Sequence, residues 1–250
     1  MKVLTYLYGK NPLKEAILAY KRGLPMVVEK LFLTKQAELD NEIMSLVQSN
    51  KLTYEIVTGN EIESLVGREA VHQGVCAVLN DKLLYTSLEE VLEKSKSKST
   101  NALFVLLDEL QDPHNVGAII RSAVAFGADA VLIPEFDQTQ ITGTVIKTSA
   151  GMTFSIPIVR IGNVNNTLEK LKEEHFWTYG LTGEGDTDLN QVKFDSNTVI
   201  VVGSEGQGIR AKTLELCDFK LSIKTDAKCE SLNASNAAAV TLYEWSKQNN

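Results

Sequence analysis

Three polar or glycine-rich segments stand where predicted strands end or predicted helices begin. They are DPHNVGAIIRSAVAFGA (112–128), VVGSEGQGI (201–209) and IKTDAKCESLNASNAAAVTLYE (223–244). Open α/β sheets build their binding sites at the carboxyl ends of their strands. The three segments therefore predict one composite site, made from loops that lie far apart along the chain.

The first segment places an amide and a cation near the start of a predicted helix. Asn115 lies at the helix entry, and Arg121 follows about two turns later in an otherwise apolar helix. A guanidinium group suits the bidentate recognition of RNA phosphate. It suits equally an ion pair at the edge of the helix, with its stem along apolar surface. Residue type alone leaves both interpretations of Arg121 open.

The second segment is an apolar strand that ends in a loop with three glycines, Gly203, Gly206 and Gly208. The loop lacks the Lys of a P-loop, and its glycine spacing differs from that of a dinucleotide-binding loop, which argues against a nucleotide-dependent dehydrogenase. Glu205 within the loop would repel a pyrophosphate. The loop therefore favours a neutral or cationic ligand, a condition that the sulfonium of S-adenosylmethionine satisfies. A glycine-rich turn without a ligand is the alternative.

In the third segment, polar side chains precede a helix of small residues. Either Ser231 or Asn233 can act as the N-cap of that helix. The alanines at 237–239 allow another backbone to approach closely, from a loop or from a second subunit. The segment therefore predicts a helix packed tightly against its surroundings.

The elements that position these segments alternate between strand and helix from residue 101 onward. Apolar runs predict strands at 102–108, 128–134, 176–182, 197–203 and 219–223. Helices are predicted at 115–126, 167–174, 208–217 and 233–248. Continuous apolar runs are typical of strands that are covered on both faces. The predicted fold class is therefore α/β, with a mostly parallel sheet and helices on both faces.

Residues 1–80 predict a separate small α/β domain. Its strands are expected at 30–34, 53–58 and 74–79, and its helices at 37–49 and 61–67. A further helix is expected to start with Asn11 as its N-cap and Pro12 as its first residue. Residues 81–100 are helical at first, at SLEEVLEK, and then become a Lys/Ser run. This composition predicts a linker, with the domain boundary near residue 98 and a second domain over 101–250.

Charge and cysteine content narrow the functional classes. The net charge of −7 argues against broad, non-specific binding to a polyanion, so a nucleic-acid surface must be local. Residues 1–80 are neutral, with nine basic and nine acidic side chains. No apolar run can span a bilayer and no signal peptide is recognised, so a cytoplasmic protein is expected. Cys76, Cys217 and Cys229 lack metal-site spacing, which predicts free thiols and no metal.

The motif residues together resemble a known family. Asn115, Arg121, GSEGQG and SLNASNAAA stand in the order and at the positions used by the SpoU/TrmH-type RNA ribose 2′-O-methyltransferases of the SPOUT superfamily. GKNPLKEAI (9–17) and HQGVCAVL (72–79) resemble the amino-terminal extension of members that act on large-subunit ribosomal RNA. The resemblance covers essentially the whole chain.

The resemblance implies a fold and a reaction. It implies a carboxy-terminal domain tied in a deep trefoil knot, a homodimer whose site is completed near the subunit interface, and a ribosomal-protein-like RNA-binding module at residues 1–80. It also implies methyl transfer from S-adenosylmethionine to a ribose 2′-hydroxyl, with a guanosine of large-subunit ribosomal RNA as the expected target. A tRNA ribose, an adenosine elsewhere on that ribosomal RNA and a non-catalytic role in ribosome assembly are the alternatives.

The resemblance also implies roles for individual residues. The expected cofactor-binding residues are Thr182, Gly183, Gly203, Gly206, Gly208, Ile223, Leu232 and Asn233. The expected catalytic residues are Asn115, Arg121, Glu205, Ser231 and Asn233. Arg121 is expected to bind the target phosphate and to stabilise the developing alkoxide, because a guanidinium group gives up its proton only at great cost. Glu205 is expected to orient Arg121 or to take the proton, and the three other catalytic residues to position ribose and the methionine moiety.

Overall fold

The computed structural model describes residues 4–226, 228 and 231–249. The chain forms two compact units. The smaller comprises Met1–Tyr85 together with Ile141–Ser155, and the larger comprises Thr86–Gln140 together with Ile156–Asn250.

Strands and short helices alternate through the described residues. The strands are β1 (Thr5–Tyr8), β2 (Val28–Leu33), β3 (Tyr54–Ile56), β4 (Val75–Leu79), β5 (Leu103–Asp108), β6 (Ala130–Pro134), β7 (Ile158–Ile161), β8 (Trp177–Leu181), β9 (Thr187–Asp188), β10 (Thr198–Gly203) and β11 (Phe219–Ser222). The α-helices are α1 (Lys10–Lys21), α2 (Lys35–Glu38), α3 (Asn41–Ser49), α4 (Gly59–Val66), α5 (Leu88–Lys96), α6 (Pro113–Ala125), α7 (Gly143–Thr148), α8 (Val164–Glu173), α9 (Ala211–Leu216) and α10 (Ala234–Asn249). Short 3₁₀ helices occupy Asp81–Leu83, Met152–Phe154 and Leu189–Gln191.

The smaller unit contains a four-stranded sheet in the order β1-β4-β2-β3. Strand β4 runs antiparallel to β1 and β2, whereas β2 and β3 are parallel. In this register Leu33, at the end of β2, faces Ile56 on one side and Val75 on the other. The loops after β2 and β3 and the loop before β4 therefore meet at one edge of the sheet.

The strands predicted for residues 30–79 and the helix at 61–67 are confirmed, with β1 and α7 as additions. The single helix predicted at 37–49 is instead two helices, α2 and α3, because Asp40 caps a new helix start. The predicted start of the first helix is wrong. Helix α1 begins at Lys10, directly after Gly9, and no side chain caps it. Asn11 and Pro12 instead lie within its first turn, where the missing N–H of proline is tolerated because the first N–H groups of a helix have no partner inside the helix.

The larger unit is built on a seven-stranded sheet in the order β7-β6-β5-β10-β8-β11-β9, and its neighbouring strands are parallel. All residues of β5 and β10 are buried, which requires cover on both faces. This confirms the predicted parallel α/β sheet. Strands β7 and β9 are additions to the predicted set.

Residues 81–100 differ from the expected linker. Helix α5 begins after Ser87, whose hydroxyl accepts the backbone N–H of Glu90 at 3.1 Å. Val91 and Leu92 are buried in the same apolar cluster as Phe104, in the larger unit. The sequence predicts the helical start at SLEEVLEK, but the Lys/Ser run that follows it gave no indication that this helix packs against the larger unit.

Two further expectations concern membrane spans and thiols. None of the helices among the described residues combines the length and the hydropathy needed to span a bilayer.

Cys76 and Cys217 are free and buried, and burial raises the pKa of each thiol to about 12. Cys229 lies outside the described residues.

Candidate functional site

The larger sheet brings the three predicted segments to one edge. Strands β5, β8, β10 and β11 are parallel, so the loops that follow them leave from the same side. The first segment follows β5, the second ends β10 and the third follows β11. Because β10 lies between β5 and β8, the loop after Gly203 is central among them.

The loop after β10 is a tight turn closed by two backbone hydrogen bonds. The N–H of Ser204 donates to the carbonyl of Gly208 at 3.1 Å, and the N–H of Gly208 donates to the carbonyl of Ser204 at 2.9 Å. Gly208 has a φ of +68°, a conformation that favours glycine. A Cβ on Gly203 would lie 2.2 Å from the backbone of Gly208 and Ile209. The fold of the loop itself therefore requires both glycines.

A cavity of about 200 Å³ lies among the loops that follow β8, β10 and β11. Its lining includes eight of the predicted site residues, namely Thr182, Gly183, Gly203, Glu205, Gly208, Ile223, Ser231 and Leu232. Among the described residues that line the cavity, Glu205 is the only one with an ionisable side chain. The cavity is therefore suited to a neutral or cationic ligand that bonds mainly to backbone groups.

A second cavity of about 270 Å³ shares Ser204 and Glu205 with the first. It extends toward the loop after β5, and its lining includes Asp112, Asn115 and Gly206. Asp112 is the N-cap of helix α6, and its carboxylate accepts the backbone N–H of His114 at 2.9 Å. Asn115 thus lies in the first turn of α6, facing this second cavity.

Asn233 connects the three segments. Its Nδ2 donates to Oδ1 of Asn115 at 3.0 Å and also to Oε1 of Glu205. Its Oδ1 accepts the backbone N–H groups of Ser235 at 2.9 Å and Asn236 at 3.3 Å. Asn233 is therefore the N-cap of α10, which settles the choice between Ser231 and Asn233. One amide joins the predicted catalytic residues Asn115 and Glu205 to the start of that helix.

Two glycines of the site have open space where a side chain would stand. A Cβ on Gly183 or Gly206 would meet no atom within 4 Å, and neither residue has a left-handed φ. The fold does not require glycine at these two positions, in contrast to Gly203 and Gly208. The open space adjoins the two cavities, where a ligand can approach the backbone closely.

The structure does not bring Arg121 into either cavity. Arg121 lies six positions after Asn115, which places its side chain about 120° away around the helix axis. Arg121 is exposed, and it forms no hydrogen bond or ion pair with residues 4–226, 228 and 231–249. The other predicted catalytic residues, Ser231 included, line the cavities or contact residues that line them.

Sequence reasoning missed an ion pair that holds the glycine loop. Asp108, at the end of β5, is completely buried. It accepts hydrogen bonds from Nη2 of Arg210 at 2.6 Å, from Nε at 3.0 Å and from the Arg210 backbone N–H at 3.0 Å. Glu109 adds a contact to the same guanidinium at 3.2 Å. Arg210 follows the glycine loop directly, so this pair anchors the end of the loop to β5. A charged residue that ends the apolar run of β5 was the available signal.

No candidate metal site is found in the part of the chain that the structure describes. There, no three or more His, Cys, Asp and Glu side chains are grouped so that they could hold a metal ion. The polar side chains that line the two cavities are amides, hydroxyls and the carboxylates of Asp112 and Glu205. They define an α/β protein with a ligand cavity lined by loops at the carboxyl edge of a parallel sheet.

Comparisons with known proteins give the family. Residues 102–243 match the SpoU rRNA methylase family, and residues 6–83 match the RNA 2′-O ribose methyltransferase substrate-binding domain. A Staphylococcus epidermidis protein described as a TrmH family tRNA/rRNA methyltransferase is 34% identical over 95% of this chain and 93% of its own length. The chain therefore belongs to the SpoU family of RNA methyltransferases.

Solved structures agree with this assignment. The SpoU methyltransferase AviRb from Streptomyces viridochromogenes, crystallised with the cofactor AdoMet, is 25% identical and matches with a TM-score of 0.81 over 98% of this chain and 90% of its own. The TrmH/SpoU tRNA modifying enzyme of A. aeolicus is 27% identical, with a TM-score of 0.53 over 64% of this chain and 83% of its own.

We expect the Asp108–Arg210 pair to stabilise the larger unit. Arg210→Ala leaves a buried carboxylate without its cation and should lower the free energy of unfolding by about 3 kcal/mol. Adding Asp108→Asn to that variant should recover part of the loss, because no buried charge is then left unpaired. Urea denaturation measures both effects.

Lys170→Ala is the matched control, since it breaks an exposed pair with Glu89 and should cost at most about 1 kcal/mol. Equal, small losses in Arg210→Ala and Lys170→Ala would show that the buried pair does not hold the loop.

Proposed function

We propose that this protein transfers a methyl group from S-adenosylmethionine to a ribose 2′-hydroxyl of RNA, with a guanosine of large-subunit ribosomal RNA as the target. The observation that carries the proposal is the cluster of Asn115, Glu205 and Asn233 beside the cavity of the glycine loop. Family membership supports the reaction class.

The residues present fit S-adenosylmethionine. The first cavity has a carboxylate, Glu205, as its only ionisable lining group among the described residues, which favours a positively charged sulfonium. Open space at Gly183 and Gly206 leaves room for a ligand against the backbone. Thr182, Gly203, Ile223 and Leu232 would hold adenine and ribose through their backbone groups. When bound, the cofactor supplies an electrophilic methyl group.

The chain's own residues position the hydroxyl and take its proton. Asn233 donates to one oxygen of Glu205, which fixes the carboxylate and leaves its second oxygen to accept the ribose proton. Asn115 and Ser231 line the adjoining cavities and can hold the sugar within reach of that oxygen. This assigns the base to Glu205 and the orientation of that base to Asn233.

Arg121 acts on the RNA rather than on the cofactor in this proposal. Its exposed position outside both cavities suits a phosphate clamp, and it also suits a site that a second copy of the chain completes. We therefore propose a homodimer, together with the deep trefoil knot that the family resemblance implies. The placement of β10 between β5 and β8 supports a chain path in which distant loops pass close to each other.

The choice of ribosomal RNA rests on the family match, because residues 102–243 match the SpoU rRNA methylase family. The tRNA modifying enzyme of A. aeolicus covers 64% of this chain. The relative from S. epidermidis is described as acting on tRNA or rRNA, so a tRNA ribose is the second candidate. Tritium transfer from labelled cofactor to unmodified ribosomal RNA and tRNA transcripts, followed by mapping of ribose methylation, tests the proposal. Transfer to neither RNA would contradict it.

Gly183 lines the first cavity, and Gly206 follows Glu205, which lines both cavities. Gly183→Ala and Gly206→Ala should each weaken S-adenosylmethionine binding by about 10-fold or more, because the added methyl group fills space that the ligand would occupy. Thermal stability should stay unchanged, because neither Cβ meets another atom in the free protein. Calorimetric titration and thermal denaturation measure the two quantities.

Gly162→Ala is the matched control, because its Cβ also meets open space but lies outside both cavities. If Gly183→Ala binds the cofactor as tightly as Gly162→Ala does, the cofactor does not occupy the first cavity.

Arg121→Ala should abolish methyl transfer while leaving cofactor affinity unchanged, because Arg121 lies outside the cofactor cavity. Activity should fall by a factor of about 100 or more if the guanidinium stabilises developing charge. Tritium transfer and calorimetric titration on the same preparation separate the two effects. Loss of cofactor binding in this variant would refute the assignment.

A further inference from the structure

A wide cavity lies in the smaller unit, outside the site already described. Its volume is about 810 Å³, within the range of small-molecule sites. It is formed where the loops after β2 and β3 meet the loop before β4, at one edge of the four-stranded sheet. The backbone holds these loops together, because Thr34 donates its N–H to the carbonyl of Gly74 at 2.9 Å and Val57 donates to that of Leu33 at 2.9 Å.

One part of the lining is apolar and open to solvent. Val71 is 67% exposed and Ile56 is 41% exposed, and both line the cavity. Val57 and Ala70 stand beside them along the chain and also line it. Covering apolar surface of this kind with a flat apolar group lowers the free energy, because water is released from both surfaces.

The other part of the lining offers hydrogen-bond donors. Nδ1 of His72 accepts the backbone N–H of Gly74 at 3.0 Å, so the neutral ring carries its proton on Nε2 and presents a donor. Oε1 of Gln73 accepts from the backbone N–H of Lys10 at 3.2 Å and from Nζ of Lys147 at 3.5 Å. The amide N–H₂ group of Gln73 can therefore donate hydrogen bonds to a ligand.

The charged side chains that line the cavity do not form a basic surface for the phosphates of RNA. The carboxylate of Glu61 is engaged at the start of α4, where it accepts from the backbone N–H of Thr58 at 2.7 Å and from its hydroxyl at 2.8 Å. Lys35 is the only lysine or arginine among the described lining residues, and Nζ of Lys147 lies 3.5 Å from Oε1 of the lining residue Gln73. Residues 1–80 carry equal numbers of basic and acidic side chains. Polyanion binding through backbone phosphates needs several cations together.

We propose that this cavity binds an unpaired nucleobase of the RNA substrate. Val71 and Ile56 contact the face of the ring, while His72 and Gln73 donate to its acceptor atoms. Proteins recognise RNA sequence mainly through unstacked bases in loops and bulges, which combine an apolar face with a polar edge. The assignment rests on the proposed function, and it gives the substrate-binding match at residues 6–83 a mode of recognition and a set of residues.

The test compares bases with phosphates in the full-length protein. The probes are a labelled RNA hairpin whose loop contains all four bases and the same hairpin with abasic ribose phosphates in the loop. The wild-type protein should bind the first probe about 10-fold more tightly than the second. Equal affinity for both probes would overturn the proposal in favour of phosphate recognition.

Two substitutions locate the preference. His72→Asn keeps an acceptor for the Gly74 N–H and removes the Nε2 donor, and Val71→Ala removes apolar contact. Together they should abolish the preference for the base-containing loop and leave the affinity for the abasic loop unchanged. Leu39→Ala is the control, because Leu39 is 81% exposed in the same unit and does not line the cavity. A double variant that keeps the preference would show that the base binds elsewhere.

Methyl transfer to ribosomal RNA transcripts separates this proposal from the proposed function. The double variant should raise KM for the RNA and leave kcat unchanged, since the cavity contributes binding alone. A wild-type protein that methylates RNA but shows no base preference would overturn only the cavity assignment. A wild-type protein that binds cofactor and methylates no RNA would overturn the proposed function, and the cavity assignment with it.

Discussion

The position of β10 between β5 and β8 is the constraint on which the candidate site depends. It brings Gly203 into register with Asp108, so the glycine loop starts beside the end of β5. Both strands are fully buried, so a shift in register would disrupt the packing of their side chains against the layers on both faces. The ion pair between Asp108 and Arg210 then closes the far end of the loop onto the same strand. Strand and ion pair together hold the loop at both of its ends.

The elements of the fold could be predicted where the apolar pattern was long. The runs that form β5 and β10 and the periodic segment that forms α6 gave clear signals. Strand β1 has four residues and β9 has two, which is too short for a pattern to emerge. The start of α1 was misplaced because Asn11 followed by Pro12 resembles a cap, whereas a turn through Gly9, with a φ of +96°, brings the chain into the helix earlier.

The candidate site could be predicted as a set of residues but not as a geometry. Asn115, Glu205 and Asn233 were expected to act together, and hydrogen bonds do join them. Their pairing follows from the order of the strands in the sheet, which composition and spacing do not contain. The pairing of Asp108 with Arg210 was missed for the same reason. Arg121 illustrates the converse, because its membership of a motif gave no information about the direction of its side chain.

Asn233 has a combination of bonds that no other common side chain can reproduce. Its oxygen must accept from the first turn of α10 while its nitrogen donates to Asn115 and Glu205. Aspartate would cap the helix equally well, yet it would bring a second negative charge against Glu205 and lose the donor. Serine would also cap the helix but has no second polar atom to donate with. The start of α10 and the orientation of the Glu205 carboxylate therefore depend on the same side chain, and a substitution of Asn233 would alter both.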